Sequence, residues 1–158
     1  MSENTNENIR FPIENDFEKI LSGDSLKNAQ DFVAFLKAND IMPDNSGDCY
    51  CYKGEELFVM HVYEGDTWFI YWDVIDGLED LLDENLKNFI WDNVMICRGE
   101  CGCLNWPRGG SKIVFGKEFK STCSSLVHFS NPGGEALINI KKLVELTRNC
   151  IDNRKKAD

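Results

Sequence analysis

Three cysteines fall within seven positions of "ICRGECGCLNWPRGG": Cys97, Cys101 and Cys103. Thiols clustered like this hold a soft metal, exchange disulfides or pack inertly, and spacing narrows the choice. A structural zinc site takes four Cys or His ligands in a tetrahedron, usually from two C-x2-4-C knuckles. Cys97 and Cys101 have the spacing of one loose knuckle, and Cys103 adds a third thiol. The fourth ligand must come from elsewhere. Cys123 is the best placed, because it follows the strand-like "SKIVF" that returns from the loop. Cys49 and Cys51 form a C-x-C pair whose side chains share a face if they lie on a strand. A radical-SAM cluster needs C-x3-C-x2-C, but position 104 is Leu, so iron-sulfur ligation is disfavoured. Redox pairing of Cys97 with Cys101, or of Cys101 with Cys103, stays open, as does a loop of inert thiols.

Other residues suggest further chemistry. Cys123 and His128 invite a nucleophile-base pair, with Cys123 as nucleophile. Their odd separation, though, places them on opposite faces of a regular strand. His61 shares an alternating face with Leu57, Val59 and Tyr63, where a core histidine is the commoner outcome. Cys150 lies beside a helical seam and reads as core packing. Asp76, Glu79, Asp80 and Asp83 line one helical stripe if a helix begins early enough, a divalent-cation reading that competes with a plain solvated face. No calcium-loop spacing is present, and "PRGGSK" lacks the G-x4-G-K-[ST] phosphate loop. Alternate residues Trp68, Ile70 and Trp72 face one side of a strand, Phe69 and Tyr71 the other. Most of these aromatics belong in a core. A few, with His61 and Asp73, can line a small-molecule cleft on an open sheet face.

The bulk properties bound these readings. At 158 residues the chain is one domain's worth, and 42% hydrophobic with 28% charged residues is ordinary globular composition. No apolar run approaches a membrane span, and the polar, acidic "MSENTNENIR" does not read as a secretory leader. A cytoplasmic protein with reduced thiols is expected, with no membrane partner. The net charge of −10 argues against nucleic acid. Charge is also uneven: 6 Lys and Arg oppose 21 Asp and Glu up to Cys97, and 11 oppose 6 after it. Arg98, Arg108, Lys112 and Lys117 would favour thiolates in the cysteine loop.

Stepping along the chain, residues 1–12 read as a flexible tail, 13–152 as a single domain holding the cysteine-rich loop 97–110, and 153–158 as a basic C-terminal tail. Ile13, Phe17, Ile20 and Leu21 fit one helix, and Leu26, Ala29, Val33 and Leu36 a second that stops before Pro43. "CYCYKGEELFVMHVYEGDTWFIYWDV" changes period to 2 and predicts a three-stranded meander with turns at "KGEE" and "EGD". Leu81, Leu82, Leu86, Phe89 and Ile90 return to helical spacing. "NVMIC", "SKIVF" and "SSLVHFS" are strand candidates. Asn131 is expected to cap a last helix whose seam is Leu137, Ile140, Val144, Thr147 and Ile151. The plan is α+β: a mostly antiparallel sheet of about five strands with helices packed on one face.

"KIVFGKEF", then Cys123, then "LVHFSNPGGEALINIKKLVELTR" resembles a family of small bacterial cytosolic proteins with a cysteine loop, an FGKEF segment, a further Cys and an F-x-NP helix start. The resemblance covers roughly the last 65 residues and implies no activity. The same region is more loosely similar in architecture to frataxin-like iron-chaperone domains, which supports the α+β expectation and transfers no iron site. The expected function is a binding or interaction module, its partner an unknown small molecule or protein, with Cys97, Cys101, Cys103 and Cys123 holding a structural zinc. Two alternatives stand beside it: a thiol redox or small-molecule sensor using the aromatic sheet face, and an enzyme with Cys123 as nucleophile.

Overall fold

The apolar alternation of the central third builds a sheet, and the 3.6-residue patterns at both ends supply its cover. The computed structural model describes residues 9–97 and 110–158. Helices α1 (Pro12–Ile20) and α2 (Gly23–Ala38) come first, followed by strands β1 (Met42–Pro43), β2 (Cys49–Tyr52), β3 (Glu55–Tyr63) and β4 (Thr67–Trp72). A short 3-10 turn (Glu79–Leu81), α3 (Glu84–Asp92), β5 (Val94–Ile96), β6 (Lys112–Val114), β7 (Lys117–Phe119), β8 (Thr122–Ser130) and α4 (Gly134–Ala157) complete the order.

Every strand pair is antiparallel, as expected of an α+β chain with short connections. The main sheet has six strands in the order β1-β2-β3-β4-β8-β5, and β6 and β7 form a separate two-stranded hairpin. The expectation of about five strands is therefore too low. Two-residue β1 and three-residue β7 are too short to show a period in sequence.

One sheet face carries Tyr50, Phe58, Met60, Trp68, Ile70, Trp72, Val127 and Phe129, all buried. Helices α1 and α2 cover it: Phe17 meets Trp68 edge-on, and Phe32 packs against both Phe58 and Trp68. Phe89 of α3 stacks on Phe129, with centroids 5.1 Å apart. The C-terminal end of α4 is pinned to the β2–β3 turn, where Lys53 and the Tyr52 hydroxyl donate to Asp152 and the Arg148 guanidinium lies 4.6 Å from the Tyr52 ring.

Three boundaries differ from expectation. Phe11, assigned to the tail, is buried in the core, and its backbone N–H donates to Glu14 at 2.6 Å, which fixes the start of α1. Residues 153–157, read as a basic tail, continue α4, because Arg154 pairs with Glu55 and Lys155 donates to the Lys53 carbonyl. Gly133, and not Asn131, is the N-cap of α4. Among the described residues no helix is long and apolar enough to cross a membrane.

A one-residue irregularity shapes the sheet's other face. Between Cys49↔Val59 and Cys51↔Glu56 the register shifts, so β3 carries one residue more than β2. A bulge of this kind turns two successive side chains toward one side. Leu57 and Phe58 are accordingly both buried, and Glu56 joins the side opposite the helices.

Candidate functional site

The parity of β3, β4 and β8 leaves Val59, His61, Phe69, Tyr71 and His128 half-buried and Tyr63 exposed on the face that, among the described residues, no helix covers. These side chains form one continuous ring cluster. His61 contacts Tyr63 and Tyr71, Tyr63 meets Phe69 edge-on at 5.2 Å, Phe69 stacks on Tyr71, and Tyr71 meets His128 edge-on at 4.1 Å. The Tyr71 and Tyr63 hydroxyls are hydrogen-bonded at 3.3 Å. Cross-strand aromatic pairs of this kind stabilise a sheet and also present a flat, polarizable surface.

His61 is thus an open-face residue with Asp48 3.9 Å from its Nδ1, and Leu57, expected beside it, has gone to the core through the bulge. His128 stays neutral to lower pH than a free imidazole because burial disfavours its charged form, and its Nε2 has no hydrogen-bond partner among the described residues. The Tyr71 phenol is pushed up, first by burial, then by Tyr63 and by the nearby Cys123.

That last influence bears on Cys123. Strands β5 and β8 pair at Val94↔Val127 and at Ile96↔Thr122, so two steps along β5 match five along β8. The extra residues cancel the odd-even argument that puts Cys123 and His128 on opposite faces, and they bring Cys123 near Tyr71. Among the described residues no hydrogen bond joins Cys123 to either histidine.

The four expected zinc ligands divide. Cys97 follows β5, and its N–H donates to the Ser121 carbonyl, two residues before Cys123 on the neighbouring strand. Cys101 and Cys103 lie outside the described residues, as does most of the 97–110 loop. No three His, Cys, Asp or Glu side chains among the described residues come together to hold a metal ion. Cys150 is buried, donating weakly to the Asp76 carbonyl. The Asp76 to Asp83 stripe does not form: α3 starts at Glu84, and the Asp83 carboxylate caps it by accepting from Leu86 N at 2.8 Å.

A cleft of about 360 Å³ opens at the end of β3 and β4, lined by Glu56, Val59, Tyr71 and Asp73 together with Ile75 and the strand segment at Leu57 and Phe58. It adjoins, through Asp73 and Ile75, a cavity of about 570 Å³ lined by Asp76, Glu79 and, from β6, Lys112. Both volumes fall in the range of small-molecule sites. Asp73 and the aromatic face were legible in the sequence; Glu56 was not, because only the bulge carries it to this side. The sole early signal for Glu56 was its place just after the "KG" turn. The chain matches no family model, no curated protein and no solved structure.

Proposed function

We propose that this chain is a small-molecule-binding module that uses the open face of its sheet, and that its ligand carries a positive charge on a flat apolar body. The observation that carries this reading is the cleft lined by two carboxylates, Glu56 and Asp73, together with the aromatic Tyr71 and the aliphatic Val59 and Ile75. A cation with a flat body gains from both parts. The carboxylates attract it, the Tyr71 ring offers its negative face, and the apolar lining rewards desolvation.

The test uses 1-naphthylmethylamine and its N-acetyl derivative, which share a shape and differ in charge, with binding read by chemical-shift changes at Val59 and Tyr71. The amine is expected to bind at these residues and the amide not to. The double variant Glu56→Gln/Asp73→Asn is expected to lower amine affinity by several-fold, up to about thirtyfold, since each partly exposed ion pair contributes about 1 kcal/mol or less. Equal binding of amine and amide, or an undiminished affinity in the double variant, refutes the reading.

A second reading concerns the cysteine loop. The β5–β8 pairing sets Cys97 beside the strand that bears Cys123, which favours a structural zinc shared by Cys97, Cys101, Cys103 and Cys123. Protein purified without added metal is then expected to hold one zinc per chain. Metal-free protein with freely alkylated Cys97, Cys101 and Cys103 rules it out.

A further inference from the structure

The open face continues past the aromatic cluster to the β1 edge of the sheet, where three sulfur-bearing residues share the β1–β2 ladder. Cys49 and Cys51 are two residues apart on β2 and so point to the same side, the side of Val59 and Glu56, and both are half-buried. The two thiols interact with each other, and Cys49 also with the Glu56 carboxylate. Met42 of β1 stands directly opposite Cys51 in the ladder. Directly paired residues share a face with Cβ atoms about 4.5–5.5 Å apart, which sets the half-buried Met42, packed at the border of the core, within side-chain reach of Cys51. Its unbranched side chain adapts readily to a neighbour.

We propose that Cys49, Cys51 and Met42 form a three-sulfur site for a soft monovalent cation of the Cu(I) class. Thiolate and thioether donors select such an ion, which accepts three ligands, whereas a structural zinc calls for four. Among the described residues no third Cys, His, Asp or Glu joins the pair to hold a metal ion. A disulfide is the competing fate of two close thiols. Residues i and i+2 of an extended strand have Cα atoms about 6.6–6.8 Å apart, at the upper edge of what a disulfide spans, so bridging by an ion is favoured over oxidation. The groups facing the pair are Glu56 from β3 and Asp44 from the loop after β1, with Asp48 and His61 further along the same face. Burial raises both thiols, with Glu56 adding to it at each and Asp44 at Cys51, so both are protonated at neutral pH. Binding therefore replaces two S–H bonds by two S–Cu bonds, adds the Met42 sulfur as a neutral donor, and releases two protons. Copper stays Cu(I) and no oxidant is needed.

The experiment offers Cu(I), as its bicinchoninate complex under anaerobic conditions with ascorbate as reductant, to the Cys97→Ser/Cys101→Ser/Cys103→Ser/Cys123→Ser variant. One equivalent of copper is expected to pass to the protein, with loss of the complex's colour. Adding Cys49→Ser or Cys51→Ser is expected to abolish the transfer. X-ray absorption is expected to count three sulfurs around the ion, and two in Met42→Leu. Wild-type protein loaded with Cu(I) and then alkylated is expected to show Cys49 and Cys51 protected, a readout independent of whether the serine variants fold. Absence of uptake, uptake that survives loss of Cys49 and Cys51, or alkylation of both thiols in loaded protein overturns the site. A sulfur count unchanged in Met42→Leu overturns the role of the thioether. None of these readouts involves the Asp73 cleft, so the copper site and the amine site stand or fall separately.

Discussion

Replacing Phe58 by alanine is expected to destabilise the fold by about 3–5 kcal/mol, read as a lowered midpoint in urea unfolding. Phe58 is 2% exposed. Its ring stacks on Tyr50 at 5.4 Å and on Trp72 at 5.6 Å, and Phe32 of α2 caps it at 5.8 Å. Removal leaves a cavity that neighbours on two strands and a helix cannot collapse to fill, because each is held by its own ladder or turn. The same truncation at half-buried Phe69 removes a ring that water already reaches. Its cost is expected to be less than half as large. Equal losses at the two positions would contradict the division of the sheet into a core face and an open face.

Asn131→Ala is expected to cost about 2–3 kcal/mol, the second largest effect. Asn131 sits at φ +42°, in the left-handed region that asparagine tolerates better than alanine. Its side-chain oxygen accepts from Trp68 N at 2.9 Å, its amide donates to the Asp66 carbonyl at 3.2 Å, and its backbone N–H donates to the Trp68 carbonyl. The side chain therefore acts as one more rung of the β4–β8 ladder at the point where the chain turns toward α4. Alanine removes two hydrogen bonds worth about 0.5–1.5 kcal/mol each, leaves the Trp68 N–H unpaired, and adds backbone strain. Asn131→Gly relieves the strain alone and is expected to fall between wild type and alanine. If glycine is as damaging as alanine, the backbone contribution is absent.

Asn131 also shows where reading the sequence stops. "SNPGG" carries every mark of a helix start, and a helix does follow. The asparagine nevertheless spends its side chain on β4, more than 60 residues away in sequence, and leaves the cap to Gly133. Hydrogen-bonding capacity is local, but which partner takes it depends on what the fold brings near. The alternation of Trp68, Ile70 and Trp72 against Phe69 and Tyr71 was legible, because period 2 is dictated by strand geometry whatever the partner strands are. Its consequence at β3 was not. Strict alternation puts Leu57 with His61, and the bulge opposite Tyr50 sends Leu57 to the core and Glu56 to the cleft. A bulge is a property of two strands paired in register, and neither strand alone announces it. The same holds at β8, where the mismatch with β5 undoes the parity that separated Cys123 from His128.

The helix boundaries follow one rule. Leu81 and Leu82 fit the helical period of Leu86 and Ile90, yet the Asp83 carboxylate terminates α3 by taking the Leu86 N–H. A capping side chain competes with continuation of the helix, and burial of Leu78 and Leu82 outside it settles the contest. Residues 153–157 stay helical because Arg154 and Lys155 reach the β2–β3 turn, a contact that composition cannot reveal.

The sequence by itself determined the α+β class, the antiparallel central meander, the residues of the last helix's seam and the division of aromatics between two faces. These follow from side-chain periodicity, which is set by backbone geometry within a single element. Tertiary structure alone decided that Glu56 and Asp73 share a cleft, that Met42 stands opposite Cys51, and that Cys97 lies beside the strand bearing Cys123. Each of those depends on the register between separate strands, and register is fixed only when the whole core packs at once.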